Sequence, residues 1–275
     1  MAPWCKTRLV KTKCRGWYFR AAAMIPNIFV EIFELNGLLY VASTALIAGV
    51  VRGFSGFGTA MIFLPVAGKY FDPVTAIIVL TIMDLCGPAL IVPKALRDAY
   101  KPDLLRLIGG MIITLPLALY FLVNMETEIF RYIVSTLALV MVCVLATGWR
   151  FHGNLGNGAL IGLGGVAGVT GGIAGVPGPP VILFYMATIH PVKVIRANNL
   201  LFLFGFDFFA LFFLGVASVL NINAVILGLV LAIPMGLGNV IGAVLFNPEK
   251  EKLYRMIAFL IITLSALIGL PLLSD

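Results

Sequence analysis

Charge is scarce in this sequence. Only 11% of its 275 residues are Asp, Glu, Lys or Arg, against roughly a quarter in ordinary soluble domains. Such a chain has too little polar surface to keep itself in water, which excludes a soluble globular fold. Cysteine is sparse too: Cys5, Cys14, Cys86 and Cys143 form no close pair and no CxxC. Neither a disulfide framework nor a zinc site is expected. His152 and His190 lie far apart, without the partners a metal ion needs. A GxxxxGK[S/T] loop is missing, so nothing grips ATP phosphates. Residues 162–167 fit a loose GxGxxA, but inside an apolar run and after no strand, which argues against dinucleotide binding. No nucleophile–base set stands out. The expectation is a non-enzyme without cofactor or metal.

What the sequence has instead is apolar length. Its residues are 61% hydrophobic, with a mean hydropathy of +1.08. A bilayer-spanning helix needs about 20 mostly apolar residues, so the apolar runs amount to roughly eight spans. The expected fold is an all-α, polytopic helical membrane protein. The net charge of +7 does not indicate nucleic acid, because the basic residues cluster at the ends of apolar runs, as orienting charges do. The expected partners are the bilayer and a small solute; a homo-oligomer stays open.

Three regions follow. Residues 1–36 form a basic arm, with six Lys or Arg and no acid before residue 24, then a short amphipathic surface helix on Ile25, Ile28, Phe29, Ile32 and Phe33. Met24 is an alternative start. Residues 37–149 and 150–275 read as two transmembrane repeats. Each opens on an interrupted run: 37–51, a break at 52–58, then 59–71; and 155–169, a break at 170–180, then 181–189. Straight spans follow at 74–92, 104–123 and 129–148 in the first half, and at 197–219, 224–246 and 256–273 in the second. A shift of 115 residues matches Gly49, Val51, Gly53, Gly56, Pro65 and Val66 with Gly164, Val166, Gly168, Gly171, Pro180 and Val181, and sets Ser55 on Thr170. Duplication with a broken helix in each copy is a transporter pattern.

With each broken run counted as one crossing, eleven basic residues, the arm and the 94–106 loop among them, share one side against seven on the other. That majority predicts cytoplasmic termini in the inner membrane. If the breaks are re-entrant hairpins, parity changes and the repeats invert.

Irregular backbone survives in a membrane only where it lines a cavity or is buried in protein. A half-helix starting near Pro180 would point its N-terminus at that cavity, where partial positive charge favours an anion. Gly53, Gly56, Gly171 and Gly172 are expected to line it. Gly158, Gly162, Gly238 and Gly242 fit small-residue helix packing. Arg52 offers a planar donor fork for an oxyanion, or else snorkels to headgroups. Asp84, mid-span, is a carboxylate able to carry a proton, or a structural partner for Arg52; Asp207 poses the same choice. Arg196, Asn198 and Asn199 could close over an oxyanion.

The residues Gly53 to Gly58 and Gly168 to Leu183, followed by Arg196 to Leu201, resemble the sulfite exporter TauE/SafE family, also called the toluene-sulfonate uptake permeases. The likeness covers about residues 37–273. It implies a duplicated secondary transporter for sulfonates, sulfite or related small organic anions, coupled to protons. Gly58-Thr59-Ala60 departs from the Gly-Gly-Gly commoner after the first motif. The expected substrate site combines Arg52, Ser55, Gly56, Thr170, Gly171, Gly172, Pro180, Arg196, Asn198 and Asn199, with Asp84 as the coupling group. An anion channel or a scaffold subunit is the alternative.

Overall fold

The computed structural model describes residues 37–88, 91–147, 156–185, 190–247, 249 and 251–271. The arm and the surface helix expected before residue 37 lie outside them. The chain divides into two compact units, Met1–Leu39 and Tyr40–Asp275, and the second carries the site.

Eleven helices and no strand occur among the described residues: α1 (Leu38–Ser55), α2 (Thr59–Ala67), α3 (Pro73–Cys86), α4 (Val92–Asp98), α5 (Lys101–Val123), α6 (Thr127–Ala146), α7 (Asn157–Ala174), α8 (Gly178–Tyr185), α9 (Val192–Val216), α10 (Ile222–Leu245) and α11 (Glu251–Gly269). Seven of them, α1, α5, α6, α7, α9, α10 and α11, are long and apolar enough to cross a membrane. The fold is a polytopic helical membrane protein, as expected. Local chemistry starts the helices where polar residues precede apolar runs. The Asp72 carboxylate accepts from Thr75 N–H at 3.0 Å ahead of Pro73, and Asn221 accepts from Asn223 N–H at 3.0 Å.

Both breaks exist and are narrower than the glycine density suggests. α1 continues through Arg52 to Ser55 and α7 through Thr170 to Ala174. The chain departs from helix only at 56–58 and 175–177. Gly56 (φ 78°), Gly58 (φ 100°) and Gly175 (φ 66°) hold left-handed backbone there, which costs other residues about 1–2 kcal/mol.

Packing fixes the direction of each helix. α7 follows α5 in the same sense, with Gly164 against Leu107, Gly168 against Met111 and Gly172 against Ala118. α9 runs with α5 as well, since Asn198 meets Tyr100 and Gly205 meets Ile108. α8 opposes α9: Gly178 faces Leu203, while Tyr185 bonds Asn198. So α7 and α8 form a hairpin with its open end at the start of α5, on what we call the His190 face.

The first pair reverses from the other face. α1 follows α10, with Gly49 on Met235 and Gly53 on Asn239; α2 follows α11, with Gly58 near Ile262 and Pro65 against Gly269. Tyr40, at the base of α1, stacks on Tyr70, just past α2 (6.3 Å between centroids, 8° between planes). This base adjoins Arg131 near the start of α6, which the end of α5 reaches through a three-residue turn. The two hairpins therefore point at each other from opposite faces. Counting each broken run as a single crossing does not describe this chain.

Candidate functional site

The tips of the hairpins meet. A small cavity of about 60 Å³ is lined by residues 56–61 from the first break and 175–179 from the second, with Arg52, Asp84 and Asp207 contributing the charges. It has room for a few waters or the head of a small oxyanion. α2 and α8 both begin at this cavity, so their unpaired N–H groups aim partial positive charge into it. Pro179 and Pro180 stand in the first turn of α8, where a missing N–H costs nothing.

Arg52 spans the cavity from the last turn of α1. Its Nη1 donates to Asp84 Oδ1 as an ion pair and to Thr59 Oγ1 at 3.4 Å. Asp207, on α9, is 8% exposed and makes no hydrogen bond or ion pair among the described residues, although the charges of Asp84 and Arg52 act on it. Here three charged groups from three helices, α1, α3 and α9, converge where the hydrophobic pattern alone would place apolar residues.

A wider cavity of about 620 Å³ leads from Arg52 and Asp207 toward the His190 face. Tyr185, Arg196, Asn199, Asn239, Tyr254 and Arg255 line it, among mostly apolar neighbours. Arg196 and Arg255 stand at its outer part, so two guanidinium groups flank the way to a third. Such a funnel concentrates anions.

The family model for the sulfite exporter TauE/SafE matches residues 41–268, most of the chain. The chain belongs to the TauE/SafE family. No curated protein and no solved structure matches it. Membership makes this a membrane transport protein, and the seven apolar helices agree.

Of the residues expected at the site, this TauE/SafE protein brings Arg52, Ser55, Gly56, Arg196 and Asn199 to the wide cavity. Arg52 and Gly56 also reach the small one, with Asp84. Thr170, Gly171, Gly172, Pro180 and Asn198 line neither. Gly171 and Gly172 are spent on packing, where an added Cβ would strike Phe206 and Ala118. The Ser55 hydroxyl contacts Val51 O (2.6 Å) and Phe57 O (2.8 Å), and Thr170 Oγ1 contacts Val166 O and Val176 O (both 3.1 Å). Each hydroxyl thus ties a helix end across its own break.

Asn198 is fully buried and belongs to a network on the His190 face. Its amide donates to Tyr185 Oη at 2.5 Å and Tyr100 O at 3.1 Å, and accepts from Tyr100 N–H at 3.0 Å. Asp103 accepts from Arg106 (3.0 Å) and Tyr185 (3.4 Å) and meets His190 Nε2 at 2.9 Å. This cluster fastens the end of α8 to the starts of α5 and α9. Among the packing glycines, Gly238 and Gly242 meet α1 backbone, whereas a Cβ at Gly158 or Gly162 meets nothing within 4 Å among the described residues; the spacing alone overstated their role. Sequence reasoning passed over Thr59, Asn239, Tyr254 and Arg255. Arg255 opens an apolar run just as Arg196 does, which is the signal that could have found it. Among the described residues, no group of three His, Cys, Asp or Glu side chains is placed to hold a metal.

Proposed function

We propose that this TauE/SafE protein is a secondary transporter for small organic or sulfur-containing anions such as sulfonates or sulfite, coupled to protons and working by alternating access. The observation that carries this reading is the small cavity between two opposed hairpin tips, with Arg52 inside it and a wide funnel leading to it from the His190 face. Asp84 occupies the guanidinium that an anion would need. A proton on Asp84 frees Arg52 for substrate, and this exchange ties anion binding to protonation.

The halves act as inverted repeats in this reading. Supporting it, Gly110 meets Ile161 and Gly165 where Gly238 meets Leu46 and Val50. α7 of the second half packs on α5 of the first as α1 packs on α10, and the contact positions on α1 and α7 (Leu46 with Ile161, Val50 with Gly165) keep the 115-residue offset.

Purified protein in proteoliposomes, given sulfonates, sulfite, thiosulfate and carboxylates with and without a pH gradient, tests the proposal. Counterflow of at least one labelled anion, accelerated by the gradient, is the expected result. Absence of counterflow across the panel removes the carrier reading.

An orientation is part of the same proposal. The His190 face carries Lys94, Arg97, Lys101, Arg106, Lys193, Arg196, Lys252 and Arg255, while Lys69 and Arg131 mark the other; Lys193 pairs with Asp98 at 2.8 Å across two loops that simple parity had separated. Among the charges of the described residues, eight against two favours a cytoplasmic His190 face in this reading, with the start of α1 outside. In a variant stripped of native cysteines, Lys69→Cys should react with an impermeant maleimide in intact cells and Lys94→Cys only after permeabilisation. The reverse pattern overturns the orientation.

A further inference from the structure

Asp84 lines the small cavity alone, whereas Asp207 lines both cavities. Water in the wide funnel therefore meets Asp207 on its way to Asp84. We infer that Asp207 is a proton relay from the funnel to Asp84, a coupling residue separate from the anion-binding set. The inference rests on the transport reading above.

Charge bookkeeping supports it. Arg52, Asp84 and Asp207 together carry one net negative charge when both carboxylates are ionised. A bound monoanion adds a second, and a single proton cancels the addition. The proton moves from funnel water to the Asp207 carboxylate and then to the Asp84 carboxylate. Neutral Asp84 gives up Arg52 Nη1, and the substrate oxyanion takes its place. On release the proton passes back through Asp207 to water on the side then open, so proton and substrate cross together and nothing else is consumed.

The surroundings of Asp207 leave few competitors for that role. Arg52 from α1 and Asp84 from α3 are the charges that act on it. α8 brings Pro179 and Ile182 to the same cavity wall, and α7 meets α9 through Gly171 against Phe206. Asp98 on α4 pairs with Lys193 in the first turn of α9, and Asp103 on α5 meets His190 ahead of that helix. An unpaired carboxylate buried among membrane helices is costly and ordinarily marks an ion or proton path.

The test compares two transport modes in proteoliposomes, using an anion the parent transports. In Asp207→Asn, uphill uptake driven by a pH gradient should be lost, while labelled counterflow at equal acidic pH persists, because exchange needs no net proton movement. Asp207→Glu should restore uphill uptake. Asp84→Asn should bind anion independently of pH, and adding Asp207→Asn to it should change nothing further. The relay is overturned if Asp207→Asn retains parental uphill uptake. It is equally overturned if the folded variant loses counterflow together with uphill uptake, which would make Asp207 part of the binding site. A parent without counterflow for any anion removes the transport reading itself, and the relay with it.

Discussion

Arg52→Ala should lower anion transport per folded molecule by roughly ten- to hundredfold, and Asp84→Asn added to it should recover folded protein but not transport. Two costs are superposed in the single variant. Removing one partner of a buried ion pair leaves the other charge unpaired, at about 3–5 kcal/mol. The side chains of Arg52 and Asp84 are 16% and 19% exposed, so the lower end of that range applies. Neutralising Asp84 removes this penalty. The functional cost remains, because a hydrogen bond to a charged group contributes about 1.5–3 kcal/mol, or roughly a ten- to hundredfold loss of substrate affinity. Folded yield by size-exclusion chromatography, thermal unfolding and transport normalised to folded protein separate the two. Parental transport per molecule in either variant would show that Arg52 only anchors structure, the alternative in which Asp84 is its structural partner.

Much of this architecture was legible in the sequence because bilayer thickness and hydropathy leave few choices. Runs of apolar residues near 104–123 or 224–246 become α5 and α10 almost residue for residue. Where the two breaks fall was legible only coarsely. Glycine tolerates both a left-handed turn and a close helix contact, and composition does not separate the uses. Gly53 and Gly172 sit in helices pressed on neighbours, whereas Gly56, Gly58 and Gly175 turn the chain. Hairpin against crossing was likewise invisible, since α2 and α8 are apolar in either case; the stacking of Tyr40 on Tyr70 reveals the reversal. Polar residues misled for a related reason. Thr170 and Asn198 look like ligand donors in a list, yet their groups satisfy nearby backbone and Tyr185, because unpaired polar atoms are expensive in an apolar interior. The Arg52–Asp84 pair joins residues 32 apart in the chain, and their meeting follows from the packing of α1 and α3 around the cavity, which no local pattern encodes.

The close helix contacts yield the other large effect. Gly110→Ala should unfold the protein or nearly so, while the adjacent Gly109→Ala should be neutral to stabilising. A Cβ at Gly110 would come within 3.0 Å of backbone atoms of Ile161 and Gly165, whereas one at Gly109 meets nothing within 4 Å among the described residues. Exposed helix positions gain about 1 kcal/mol from Gly→Ala. Overpacking ordinarily costs about 1–3 kcal/mol when side chains can yield. Here the obstacle is backbone on a rigid helix, so α5 and α7 must part along their contact and release the bond from Thr114 Oγ1 to Gly165 O (2.9 Å). Thermal unfolding in detergent measures both variants. The second half supplies an independent pair: Gly238 meets Leu46 and Val50 backbone as closely, and Gly236 has open space. If the halves are inverted copies sharing one packing solution, Gly238→Ala should match Gly110→Ala in its loss and Gly236→Ala should match Gly109→Ala. A tolerated Gly110→Ala would mean that α5 and α7 do not touch there, and the second hairpin would lose the support that aims its tip at Arg52.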